Sequence, residues 1–476
     1  MKRSETAGRE ANTDLHPPSK KRWLAAPYLL LGVVVLTVIA TMLCGCRSLS
    51  PPTRNEVDAF AGTECPDTIP REFVTACAKA PKQDDTPTKA MDLYIDGSGS
   101  MHGFAVPQAS NFRNVVREVI ESADDHGFAV TTYKFTSTFT NISGEEISQI
   151  EAPQFYNGQD TPLAALINRI ASWPNRTSIV ISDLVQSEQG LDVQALIRAL
   201  LQLSSLRPEI RLLAYRSDFD GRYKPEFGGP GTPSIQLKMS QSILGNGRPF
   251  YILVVAPNRA TMDSVQDNVL NRIPPAQSYD PTAPPLTIRN IKLDGSAAKN
   301  WNEGLPFSDA LNRAGLPLLN STFHWTGGDA TGTSVLLPLV LDITQVLPLR
   351  DPNQLNLESY RFVWSGKGRS EPAKIDLVEQ GSFDKRHPDS TLYLQLQLPR
   401  PQRDAWSVYL IAVRAGDGNL DPPSWVNDWD TEDDSATSFG NRTYQLKVLT
   451  ECMVHAISEK SVIGVWALDT IEGRRN

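Results

Sequence analysis

A chain of 476 residues, 40% hydrophobic and 21% charged, is too long for one ordinary core and too apolar to be disordered throughout, so it reads as two domains with tails. Its formal net charge is −8. The first 22 residues carry a net +3 (six Lys/Arg against Glu5, Glu10 and Asp14), so the remaining chain carries −11 and argues against a nucleic-acid role, which needs a basic face.

Residues 1–22 form a basic tail ending in Lys20, Lys21 and Arg22. The next 21 residues, Trp23 to Leu43, contain no charge; as a helix they reach roughly 31 Å, enough to cross a bilayer. With the basic cluster on the N-terminal side, the positive-inside rule keeps the tail in the cytoplasm and exports the body. Segment 23–45 is therefore expected to be a transmembrane anchor or signal segment. The run Leu43-Cys44-Gly45-Cys46 resembles a bacterial lipoprotein processing site, with Cys46 as the lipidated residue. A retained single span is the other reading, and both tether the body to the outer face of the cell membrane. The linker 46–87 is rich in Pro, Thr and Asp. It holds Cys65 and Cys77, close enough in sequence to form a disulfide in an oxidising compartment; Cys452 is then a lone thiol, expected buried on a helix.

From residue 88 strands and helices alternate. Met91–Ile95 is a buried strand. Phe112, Val115, Val116, Val119 and Ile120 recur at helical spacing, and Phe128–Phe135 reads as a strand. Leu163, Leu166, Ile167 and Ile170 mark a second helix, Thr177–Ile181 a buried strand, and Val193, Leu196, Ile197, Leu200 and Leu201 a third helix. Ile210–Tyr215 and Phe250–Val255 are further strands, followed by a helix through Met262, Val265 and Val269. This order predicts an α/β fold with a mostly parallel sheet covered on both faces. Between Ser217 and Pro249 helical periodicity is missing, so this stretch reads as a surface insertion with a hairpin near Ile235-Gln236-Leu237. Beyond residue 275, strands are predicted at Ser334–Thr344, Tyr360–Trp364, Lys374–Glu379, Leu392–Leu398 and Trp406–Ala415, a helix at Tyr444–Ser458 and a strand at Val462–Leu468. Residues 276–476 are thus expected to form a β-rich, sandwich-like domain.

Chemistry concentrates at one turn. Asp96-Gly97-Ser98-Gly99-Ser100 leaves the first strand with a carboxylate and two hydroxyls at alternate positions. It resembles the DxSxS motif of the von Willebrand factor A (VWA) domain family. Thr161, in Gly158-Gln159-Asp160-Thr161-Pro162-Leu163, matches the family's Thr element, and Asp183, ending Ile179-Val180-Ile181-Ser182-Asp183, matches its final Asp. The resemblance covers 88–275 and implies a VWA-like doubly wound fold and a metal-ion-dependent adhesion site. In that site Asp96, Ser98, Ser100, Thr161 and Asp183 hold Mg²⁺ (or Mn²⁺ or Ca²⁺), with the hydroxyls as direct ligands and the aspartates largely behind them. The family's usual helix before the last strand is replaced here by the Ser217–Pro249 insertion.

Hard cations take oxygen ligands, and a set with few direct carboxylates leaves the ion able to accept a Glu or Asp from another protein. The expected function is a membrane-anchored, extracytoplasmic binding protein, not an enzyme, that captures an exposed acidic group of a protein partner through the cation. The alternatives are a metal-assisted hydrolase, or a cell-envelope scaffold in which the metal is only structural. Asp428, Asp430, Glu432 and Asp434 lack the Gly and spaced Glu of an EF-hand loop and read as a solvated acidic loop, and Asp218-Phe219-Asp220-Gly221 reads as a turn. No GxSxG elbow, phosphate-binding GxxxxGK[ST] loop or HExxH pair occurs.

Overall fold

In the computed structural model β1 (Ala90–Asp96) is a buried inner strand of a seven-stranded sheet. The structure describes residues 87–472 except 160, 186–191, 227–231, 242–246, 284–285, 294–300, 304–317, 326–333, 346, 352–354, 366–367, 370–372, 376–377, 384–390, 400–404, 417, 436–439 and 459–461. The expected span 23–43, the lipidation site Cys46 and the pair Cys65 and Cys77 lie outside the described residues. Among the described residues no helix is long and apolar enough to cross a membrane.

The elements follow the sequence pattern closely. Helix α1 (Asn111–Asp125) is capped by Ser110, whose hydroxyl accepts from the Arg113 amide (3.3 Å), and it buries Phe112, Val115, Val116 and Val119. β2 (Ala129–Phe135) and the short β3 (Phe139–Asn141) follow, then α2 (Leu163–Ala171), β4 (Thr177–Ser182) and α3 (Val193–Ser205), capped by Asp192. β5 (Glu209–Ser217) runs straight into a hairpin of β6 (Phe219–Tyr223) and β7 (Ile235–Met239). β8 (Arg248–Ala256), α4 (Arg259–Val265) and β9 (Gln277–Tyr279) complete the unit. The stretch Asp218-Phe219-Asp220-Gly221, expected to be a turn, is thus mostly strand. The Asp220 carboxylate faces Lys238 (3.3 Å) across the hairpin, and Asp218 accepts from the Gln241 amide.

The strand order is β3-β2-β1-β4-β8-β5-β9. β1 pairs in parallel with β2 and β4, whereas β8 lies antiparallel between β4 and β5, and β3 and β9 are antiparallel edges. Four strands therefore share one direction and three oppose it, so the sheet is mixed and mostly parallel. The reversal of β8 has a plain cause. A parallel return from β5 needs a crossover of a dozen or more residues, usually a helix. The chain instead folds a hairpin at the end of β5 and comes back from there.

Both faces are covered. Tyr94 packs with α2 and α3, while its neighbours Leu93 and Ile95 pack on the other side with α1 and α4. Burial on two faces makes these strands apolar throughout, each fully buried large side chain contributing about 1.5–3 kcal/mol. A late segment of the chain joins the first face: Trp429 and helix α5 (Leu446–Ala456) belong to the same cluster as α2 and α3, with Leu449, Cys452 and Met453 buried. Cys452 is the buried helical thiol expected from sequence.

After residue 286, Leu286–Leu293, Ser334–Gln345, Thr391–Pro399 and Val378–Phe383 pair in that order in an antiparallel sheet. Leu318–Trp325, Val462–Glu472, Ala405–Ala415 and Leu355–Ser365 pair in that order in a second sheet, which is mixed: the first two strands are parallel and the other pairings antiparallel. The single strand expected at Lys374–Glu379 is two: Ala373–Ile375 pairs with Leu355–Ser365, and Val378–Phe383 with Thr391–Pro399, in different sheets.

Candidate metal centre

Asp96 is the last residue of β1, flanked by parallel partners on both sides. Its carboxylate is fully buried. Oδ1 accepts from the Ser98 amide (2.9 Å), folding the turn back on itself, and Oδ2 accepts from the hydroxyls of Ser182 (2.6 Å) and Thr161 (3.2 Å). The Ser98 and Ser100 hydroxyls are 2.9 Å apart, and the Ser100 hydroxyl lies near enough to the Asp183 carboxylate to favour its ionised form. All five residues expected from sequence therefore come together: the Thr161 hydroxyl and the Ser98 amide bond Asp96, the Ser98 hydroxyl bonds that of Ser100, and Ser100 lies beside Asp183. Asp96, Ser98, Thr161 and Asp183 are buried; Ser100 is half-buried and the neighbouring Gly99 exposed, which makes these two the outer rim.

Backbone pairing brings the distant pieces together. The Gly99 amide donates to the Gly158 carbonyl (2.8 Å), and the Gly158 amide donates back to the Gly97 carbonyl (2.8 Å). This two-bond bridge delivers Thr161, two residues before α2, to the mouth of β1. Glycine is required at 158 because an added Cβ would meet Thr136 Cγ2 at 2.3 Å and the Gly97 carbonyl at 3.0 Å. Asp183 follows β4, and its Oδ1 accepts from the Val185 amide (3.2 Å). Between them Leu184 sits at φ 57°, a left-handed backbone that disfavours a γ-branched residue by about 1–2 kcal/mol and is held by its burial.

Two participants carried no sequence expectation. Ser182 is a second hydroxyl on Asp96, and its own oxygen accepts from the Leu184 amide (2.9 Å). The only signal for it is its place directly after the apolar run Ile179-Val180-Ile181. Arg248 opens β8, and the reversed direction of that strand sets its first residue beside the carboxyl ends of β1 and β4. Its guanidinium is all but fully buried, 3.8 Å from Asp183 Oδ2, 4.2 Å from the Tyr223 ring centre and 5.1 Å from that of Phe219, with Nη1 donating to the Gly440 carbonyl (3.4 Å). The signal in the sequence is one charge at the head of a nine-residue strand whose other eight residues are apolar or aromatic.

The electrostatics are those of two carboxylates short of positive charge. Burial, and then the Asp183 charge, push Asp96 up from the usual carboxylate range to about 7. Burial raises Asp183 as well, with Arg248 opposing the shift. Asp183 Oδ2 and Arg248 Nε are both buried with no hydrogen-bond partner. A buried carboxylate oxygen without a partner, beside three hydroxyls and a second carboxylate, fits a hard oxygen-ligated cation. Among the described residues no three His, Cys, Asp or Glu side chains cluster as a metal group, and the present set has only two such residues, its remaining oxygens being hydroxyls.

The acidic stretch from residue 428 does not converge on an ion site, and it is only in part the solvated loop expected from sequence: Asp428 and Glu432 are exposed, the other two are not. Asp434 is buried, accepting from the Tyr223 hydroxyl and the Glu226 amide, and Asp430 accepts from the Lys447 amide. Tyr223 is the same ring on which Arg248 rests, so this stretch walls the candidate centre. Arg216 adds to the wall, donating to the Asn441 carbonyl (2.7 Å) with its guanidinium over Trp429. His102 lies beyond the turn, on a single helical turn, His102–Ala105. No protein-family model matches the chain and no curated protein matches it, so the reading of this centre rests on its own residues.

Proposed function

We propose that Asp96, Ser98, Ser100, Thr161 and Asp183 hold a divalent cation, Mg²⁺ or Mn²⁺, and that the protein uses it to bind an acidic side chain of a partner protein. The observation that carries the reading is the convergence of these five residues on one spot, with Asp183 Oδ2 buried and unpartnered. The VWA-like resemblance of the same five positions supports it. The cation supplies a positive centre with a vacant coordination position for a carboxylate. The chain's own residues orient the hydroxyls, keep bulk water from the two carboxylates, and leave the rim at Gly99 and Ser100 as the approach for the partner. On this reading the N-terminal apolar segment tethers the body outside the membrane, and the two C-terminal sheets form a sandwich-like body that presents the α/β unit.

The test is thermal unfolding in EDTA, Mg²⁺ and Mn²⁺. Either metal raises the midpoint of the wild-type protein, and Asp96→Ala removes that rise. A wild-type midpoint indifferent to both metals rejects the reading.

A further inference from the structure

Arg248 changes what the candidate centre requires. Asp96 and Asp183 together carry two negative charges when ionised, and the buried guanidinium beside Asp183 answers one of them. One negative charge is left. A divalent ion turns that into one positive charge in a site from which water is largely excluded, and a single carboxylate brings the sum to zero. Without Arg248, the ion alone would neutralise the pair, and no net positive charge would add to the coordination bond in favouring a further anion.

We propose that Arg248 is a positioning and specificity residue that makes metal binding and carboxylate binding interdependent: it weakens the site for the cation alone and strengthens it for the cation together with an acidic ligand. This rests on the metal reading above and deepens it. The guanidinium is fixed where it must act. It is sandwiched against Tyr223 and Phe219, tied to the Gly440 carbonyl, and held by the pairing of Arg248 with Ser217 at the head of β8. Its distance of 3.8 Å from Asp183 Oδ2 and its unpartnered Nε show a charge placed near the carboxylate without being consumed by it. At such separations a full charge in a partly desolvated site alters ion affinity by tenfold or more. By linkage, whatever the cation does for carboxylate affinity the carboxylate does for cation affinity.

The experiment follows free Mn²⁺ by electron paramagnetic resonance while the full chain is titrated, with and without acetate as the carboxylate probe. Wild-type protein binds Mn²⁺ about fivefold or more tightly in acetate than without it. Arg248→Met keeps the apolar stem on the two rings but removes the charge; it binds Mn²⁺ about tenfold more tightly than wild type and no longer responds to acetate. Arg248→Lys keeps the charge and keeps the acetate response, which a merely structural loss would not do. If Arg248→Met does not fold, the wild-type and Lys titrations still decide: no acetate response in either overturns the proposal. Equal affinity and equal acetate response in wild type and Arg248→Met overturn it while leaving the metal reading intact. Absence of Mn²⁺ binding by wild type overturns both.

Discussion

Nη2 of Arg248 stands 3.8 Å from Oδ2 of Asp183, both side chains almost wholly buried, and no hydrogen bond joins them. Opposite charges free to move in a dry site close to about 2.7–2.9 Å. These two do not, because each is held from behind. Ser217 pairing and the Gly440 carbonyl fix Arg248, while the Val185 amide fixes Asp183. A buried pair kept apart contributes little to stability and leaves its charges available to something else.

The first consequence is a pH dependence with a definite sign. Asp96 lies at about 7 in the folded protein, above the 3.8 of a free Asp carboxyl, because burial and Asp183 disfavour its ionised form. In the window between those values the folded chain holds more protons than the unfolded one, so stability falls as pH rises through it and stays low above. In EDTA the unfolding midpoint is therefore expected to fall between about pH 4 and about pH 7 in wild type relative to Asp96→Asn, which cannot ionise, and to stay low above. Mg²⁺ favours the ionised form and cancels the difference at the alkaline end. Parallel pH profiles for the two proteins in EDTA would show that Asp96 titrates normally.

Ser182 provides a second test that does not require the metal. Its hydroxyl donates to Asp96 at 2.6 Å and accepts from the Leu184 amide, so Ser182→Ala leaves a buried carboxylate and a buried amide each short of a partner. The expected loss is about 2–3 kcal/mol in denaturant unfolding. Ser182→Thr retains the hydroxyl and should lose less. Equal stability of Ser182→Ala and wild type would remove Ser182 from the centre.

What could be read from the chain and what could not divides along physical lines. The five oxygens were legible because each sits in a short local context, a turn leaving β1, a loop entering α2, and the end of β4. The helices were legible because spacings such as Phe112, Val115, Val116 and Val119 admit one interpretation. Direction was not. The apolar run Phe250–Val255 says that β8 is buried on both faces but not which way it points. The missing crossover helix before it, visible in the sequence as absent periodicity over Ser217–Pro249, was the clue to the antiparallel return and hence to Arg248. Asp434 was misread because its burial depends on Tyr223, 211 positions away, and no local pattern records that partner. The packing of α5 on the first-half core is hidden in the same way: its apolar stripe shows that it needs a cover, not which helix supplies one.

Two left-handed residues separate strain from packing. Arg207 has φ 55° just past α3, with an exposed side chain and its amide on the Ser204 carbonyl (3.0 Å), a helix ending that glycine suits best. Arg207→Gly is expected to stabilise by up to about 1 kcal/mol, raising the midpoint by about 1–3 °C. Leu184 has φ 57°, yet its side chain packs against Leu163, Leu166, Leu449 and Met453 around an apolar cavity. Leu184→Gly relieves the backbone but removes that packing, and a net loss of about 2–4 kcal/mol is expected. Calorimetry on both variants distinguishes the cases, and a destabilised Arg207→Gly would refute the left-handed ending of α3.

The bridge between the two site loops yields the sharpest contrast. The Gly158 amide donates to the Gly97 carbonyl, and the Gly99 amide donates to the Gly158 carbonyl. A methyl group at 158 collides with Thr136 and with the Gly97 carbonyl, whereas one at 99 meets only the Gly158 carbonyl, at an ordinary 3.5 Å. Gly158→Ala must push the Thr161 loop away from Asp96, at a cost of about 1–3 kcal/mol. Thr161 then leaves the 3.2 Å contact with Asp96 Oδ2, and the Mn²⁺-induced rise in midpoint should shrink or vanish. Gly99→Ala should keep both the stability, within about 0.5 kcal/mol, and the Mn²⁺ response. The two substitutions add the same atom a few ångströms apart, so a general effect of losing glycine flexibility would strike both alike. A Gly158→Ala protein that responds to Mn²⁺ as fully as Gly99→Ala would mean that Thr161 is not held at the centre by this bridge.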